Sequence, residues 1–116
     1  MGWRDARHRG DDLDWVCSIL KAVGSPRVKL LFDVYHVQIM HGDLIRRIDE
    51  CKEWIGHVHT AGVPGRHELD GTQEVQWDGV MRGIAATNFQ GYVAHEFVPT
   101  RDPLTSLREA VDLCDV

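Results

Sequence analysis

The sequence predicts an α/β fold, a partial (β/α)8 barrel of about three parallel strands with four helices, and three observations carry that reading. Helical and two-residue periods alternate along the chain. Between the strand-like stretches lie segments long enough to return the chain through a helix, as parallel pairing requires. Each strand-like stretch also ends in acids or imidazoles, which is where parallel α/β proteins place their ligands. These stretches are Leu30-Leu31-Phe32-Asp33 with His36, Ile55-Gly56-His57-Val58-His59-Thr60, and Gly91-Tyr92-Val93-Ala94-His95-Glu96-Phe97.

The first helix starts at Asp11 or Asp12, either able to cap it, and carries Leu13, Val16, Ile19, Leu20 and Val23 inward until Gly24-Ser25-Pro26 stops it. Val28 to Phe32 follows as a strand, apolar apart from Lys29, and is expected to be covered on both faces. His36 to Gly42 reads as a connection, after which Asp43 caps a second helix with Leu44, Ile45, Ile48, Cys51 and Ile55 on one face. Gly56 marks the junction to a strand over residues 56–60, and the irregular stretch 61–76, rich in Gly, Pro and charge, is long enough to suggest a functional loop. Trp77, Val80, Met81 and Ile84 define a third helix, and residues 91–96 a third strand. Asp102-Pro103 opens the last helix, a cap followed by proline at the first helical position, with Leu104, Leu107, Val111 and Cys114 expected inward.

Composition narrows the function. The chain has 116 residues, enough for one core, with 43% apolar and 27% charged residues and a net charge of −5. That balance argues against a nucleic-acid binder, and no apolar run reaches the length of a membrane span. Arg4, Arg7, His8 and Arg9 make residues 1–10 a charged end, expected to be poorly ordered, and Trp3 within it could cover an exposed edge. Cys17, Cys51 and Cys114 are odd in number and widely spaced, which suggests reduced, buried thiols of a cytoplasmic protein. Three strands make a thin sheet for four helices. Its two open edges lead to the expectation that residues 11–116 are the second half of an eight-stranded barrel.

From about Trp15 to Val116 the chain resembles the hydroxypyruvate isomerase-like members of the xylose isomerase-like, sugar-phosphate isomerase/epimerase barrels. The segments that carry the resemblance run from Val28 to Met40, then Gly56-His57-Val58-His59 with Val63-Pro64-Gly65-Arg66-His67-Glu68, then Gly91 to Phe97. It implies that the three strands are the sixth to eighth of the barrel, and that the reaction is a metal-dependent isomerisation or epimerisation of a small hydroxy-carbonyl compound or sugar, such as hydroxypyruvate to tartronate semialdehyde. It further implies that Asp33, His59 and Glu96 hold a divalent cation, Mn2+ or Mg2+, that Glu96 doubles as the acid/base, and that His36 and Arg66 contact substrate. The family's further glutamate, at the end of the fifth strand, would fall before Met1. Asp5 is a poor substitute. The competing reading is therefore a truncated, non-catalytic half-barrel that needs a complementary N-terminal half or self-association. A phosphoester hydrolase on the related endonuclease-type barrel is the other enzyme reading, but such sites take more ligands and favour a basic groove.

Each residue also has a plainer reading. Asp33 could simply cap the next turn. His57 and His59 share one side of their strand, so His57 is expected to be an interior histidine rather than a ligand. His95, alternating with Glu96, should face the helices. Glu96 at the end of a buried strand needs a partner. Arg66 could be a solvated loop charge, as His67 and Glu68 are expected to be. Trp15, Trp54 and Trp77 are read as packing residues.

Overall fold

The computed structural model describes residues 12–116. The expectations placed on residues 1–10, and on Trp3, Asp5 and Asp11, lie outside them. The elements run α1 (Leu13–Val23), β1 (Leu30–Asp33), α2 (Val34–Met40), α3 (Leu44–Cys51), β2 (Ile55–Thr60), α4 (Trp77–Ala86), β3 (Val93–His95) and α5 (Pro103–Cys114). The strands form one parallel sheet in the order β1-β2-β3, with Asp33 opposite His59 and Thr60 opposite His95. Among the described residues, no strand lies beyond β1 or β3.

Among the described residues there are five helices rather than four. The stretch read as a connection after the first strand is α2, and it starts without a loop. Asp33, the last residue of β1, is also the α2 N-cap, and its Oδ1 accepts the His36 N–H at 3.0 Å. The β-favouring Val34-Tyr35-His36-Val37 hides that start. α3 begins as expected, but Asp43 does not cap it: Asp43 sits at φ 55 and its carboxylate pairs with Arg46 instead. Ile55 opens β2 and does not continue α3. α1 is capped as anticipated, with Asp12 accepting from Asp14 and Trp15, and with Gly24 at φ 66 closing it.

The helices cover one face of the sheet. Phe32 on that face is 0% exposed, whereas its neighbour Leu31, on the opposite face, is 49% exposed. The expected cover on both faces of β1 is therefore absent among the described residues. Leu31, Asp33, His57, His59 and Glu96 belong to the uncovered face, the side that faces inward when such a sheet curls into a barrel. The core lies beneath, around Phe32, Val34, Ile48 and Val58.

Two helices depart from expectation, α5 at three positions of its stripe and α1 only at Ile19 and Val23 of its own, since its Leu13 and Leu20 are buried as expected. In α5, Ser106 and Ala110 are buried, while Leu104 (66%), Leu107 and Val111 are exposed. In α1, Leu13, Cys17 and Leu20 are buried, while Trp15, Ile19 and Val23 are exposed. An apolar stripe tells which residues share a face but not what covers it. Here the small residues of α5 permit a close approach, and the larger ones turn outward. Cys17 and Cys51 are buried with their sulfurs 3.4 Å apart, and all three cysteines are free. No described helix is long and apolar enough to cross a membrane.

Candidate active site

The carboxyl ends of the three strands bring the candidate residues together. Parallel pairing sets Asp33 beside His59, and the Glu96 N–H donates to the Thr60 carbonyl at 3.0 Å, which continues the ladder just far enough to aim Glu96 at the same point. His59 Nδ1 lies 3.4 Å from Glu96 Oε2 and 3.9 Å from Asp33 Oδ2. His36, in the first turn of α2 and expected as a substrate contact, brings a ring nitrogen to the same two acids: ligand atoms of Asp33, His36 and Glu96 all lie within 4.8 Å of one another. The division of labour at Asp33 is clear, since Oδ1 holds the helix cap and Oδ2 faces the site.

The electrostatics follow from crowding two acids. Burial raises the Asp33 carboxyl above its usual range, and the nearby Glu96 raises it further, while the His36 N–H opposes both. Glu96 moves the other way. Its hydrogen bond with Asp33 lowers it, burial opposes this, and Arg66 and His59 lower it further. The two crowded carboxyls thus shift in opposite directions. With the imidazoles of His36 and His59 close by, they are a fitting donor set for a hard divalent cation.

Arg66 comes from the loop that joins β2 to α4. Its Nη2 donates to Glu96 Oε1 at 2.8 Å, and its guanidinium lies 5.3 Å from the centre of the Tyr35 ring. The plain reading of Arg66 as a solvated loop charge does not describe this placement. Next to Asp33 and His36 opens a pocket of about 180 Å³, lined also by Leu13, Leu30, Leu31 and Met40.

The remaining histidines have other settings. His57 stacks edge-on against His59, with centroids 4.8 Å apart. His95 turns to the helical layer, where its Nδ1 lies 2.6 Å from the hydroxyl of the buried Thr60, and burial lowers its pKa. His67 is exposed, with Nδ1 3.0 Å from the Val98 carbonyl oxygen. Glu68, expected to be solvated, is only 5% exposed. Four donors from residues 100–106 surround it, and no local pattern announces them because they come from a distant segment. Trp77 packs in the core and Trp54 against it, but Trp15 is exposed.

Comparison with known proteins places this geometry. A family model described as a xylose isomerase-like TIM barrel matches residues 3–115. A putative hydroxypyruvate isomerase of Homo sapiens is 32% identical over 103 residues, which is 89% of this chain and 37% of that protein. A 2-oxo-tetronate isomerase of Cupriavidus necator is 34% identical over 92 residues, covering 79% of this chain and 34% of that one. Among solved structures, a family 2 AP endonuclease from Brucella melitensis superposes with a TM-score of 0.77 at 32% identity, over 86% of this chain and 38% of that chain. The chain therefore spans about a third of the length of the curated relatives it matches.

Proposed function

This chain belongs to the xylose isomerase-like TIM-barrel family, and on that premise we propose that it is a C-terminal part of a metal-dependent isomerase or epimerase acting on a small hydroxy-carbonyl compound. Hydroxypyruvate is the leading candidate substrate, with 2-oxo-tetronate next, because relatives carry those names. The observation that bears most weight is the meeting of Asp33, His36, His59 and Glu96 at the strand ends, with Arg66 bonded to the same Glu96.

In this reading Asp33, His59 and Glu96 hold Mn2+ or Mg2+, which supplies positive charge beside the substrate's oxygens when bound. Glu96 moves the proton between adjacent carbons. Its bond to Arg66 orients it as the base. His36 donates to a substrate oxygen from the exposed side of the site, and Arg66 steadies the far end of the substrate. The free thiols accord with a cytoplasmic setting.

A second reading is favoured by the exposed Leu31 and by the apolar outer faces of α1 and α5. In it, the chain works only against a complementary half-barrel or a second copy. One experiment addresses both: incubating the chain with Mg2+ and hydroxypyruvate in deuterated water, alone and with a complementary half. The proposal expects deuterium to enter the substrate, and expects EDTA or Glu96→Gln to stop it. Exchange only after complementation selects the second reading. If neither form exchanges deuterium or converts hydroxypyruvate to its isomer, the isomerase assignment fails.

A further inference from the structure

We propose that Glu68 is a positioning residue for the active site, anchoring the loop over residues 61–76 to the start of α5 so that Arg66 is held against Glu96. Glu68 Oε2 accepts the backbone N–H groups of Thr100 at 2.9 Å and Arg101 at 3.2 Å and the Ser106 hydroxyl at 2.8 Å; Oε1 accepts the Thr100 hydroxyl at 2.8 Å. Both oxygens are engaged, and the donors belong to the residues that lead into α5 and to its first turn. A carboxylate so engaged is fixed in place by its partners. Its role is mechanical.

Arg66, two residues upstream, adopts φ 63, a left-handed conformation that a non-glycine residue keeps only where its surroundings fix it. The surroundings do so from both sides. Its carbonyl accepts from the Val98 N–H at 2.7 Å, and its own N–H donates to the Gly62 carbonyl at 2.9 Å. The Gln73 side chain ties the loop across, accepting from the Val63 N–H at 3.2 Å and donating to the Glu68 carbonyl at 2.9 Å. A Cβ on Gly62 would stand 2.3 Å from that same Glu68 carbonyl oxygen, so the loop has no room to slide at this crossing. Glu68 ties the closed loop to the start of α5, and Arg66 leaves the same loop aimed at Glu96 and Tyr35. The depressed pKa of Glu68 agrees: burial would raise it, but the bonds from Thr100 and Ser106 outweigh that and hold it at about 2.

The inference rests on the proposed function only for the purpose of Arg66; its test uses neither cation nor substrate, so the two can fail separately. The Arg66 side-chain resonances of the labelled full chain should carry a ring-current shift from Tyr35. Glu68→Gln, whose amide oxygen can still accept from the three donors on Oε2, should keep that shift. Glu68→Ala should lose it, with the amide resonances of β2 and α4 unmoved. Where Glu68→Ala does not fold, Thr100→Val removes one donor hydroxyl while leaving the backbone donors, and should reduce the shift. A full shift in folded Glu68→Ala, or in Thr100→Val where that variant is the test, overturns the proposal.

Discussion

Changing Asp33 to asparagine should make the metal-free protein more stable and a poorer metal binder. Asp33 shares its site with Glu96, the two offering oxygens within 4.8 Å of each other. Two full charges at that separation repel by about 3 kcal/mol at an effective dielectric constant of ~20. Solvent and Arg66 screen the Glu96 side chain, which is 35% exposed, so roughly 1 kcal/mol is the part expected to bear on stability. The native state avoids the repulsion by holding a proton on Asp33 to higher pH than the unfolded chain does. It binds more protons than the unfolded state over that window, so stability falls as the pH rises from the unfolded value of about 3.9 through the raised native one. Asparagine removes this loss. Its oxygen can still cap α2, and its amide can donate to Glu96 without a proton having to be taken up. In thermal melts with EDTA at about pH 7, a gain of ~1 kcal/mol corresponds to a rise of roughly 4 °C in Tm. The gain should shrink near pH 4, where Asp33 is increasingly protonated in both states. Mn2+ affinity, followed by paramagnetic resonance, should drop by more than about tenfold, the lower range for losing even an outer partner of a ligand. A variant that melts lower at neutral pH, or binds Mn2+ unchanged, would refute the reasoning.

Two further outcomes test the fold around the site. Phe32→Ala empties the covered face of β1 and should cost about 3–5 kcal/mol, whereas Leu31→Ala on the half-exposed face should cost about 1 kcal/mol, part of the ~1.5–3 kcal/mol for burying such a side chain fully. With a urea slope of about 2 kcal/mol/M, the midpoints should fall by roughly 2 M and 0.5 M, and equal losses would mean that the inner face is covered. Glu68, lowered to about 2 in the fold, contributes stability that is complete above the unfolded carboxylate range and lost as the pH falls toward 2. The lowered Asp70 and Asp102 act in the same sense, so urea midpoints should decline in acid, and less steeply in Glu68→Gln; parallel declines would count against the buried anchor.

What could be read from the residues divides along physical lines. The strands were legible because an apolar run that ends in Asp33, His59 or Glu96 joins a burial signal to a chemical one at one place. α2 was not legible, because the aspartate that caps it also suggests a ligand and the residues after it favour strands. The burial of α5 departs from its stripe at Leu104, Leu107 and Val111, since a periodic stripe carries no information about which layer it meets. Glu68 gave no signal at all. Its donors, Thr100 and Ser106, lie 32 and 38 residues along the chain, beyond the reach of any local pattern.

That distance shapes how the site comes into being. The Arg66–Glu96 bond joins residues 30 apart in sequence, and the ladder that sets Asp33 beside His59 and His59 beside Ala94 closes only when all three strands have docked. Long closures of this kind come late in folding, because chain entropy must be given up before the contacts repay it. A chain that has formed α1 through β2 but not β3 carries Asp33 and His59 without Glu96, and so holds no half-working version of the site. The cation binding proposed for this site should therefore keep time with the last step of folding rather than with the appearance of its helices.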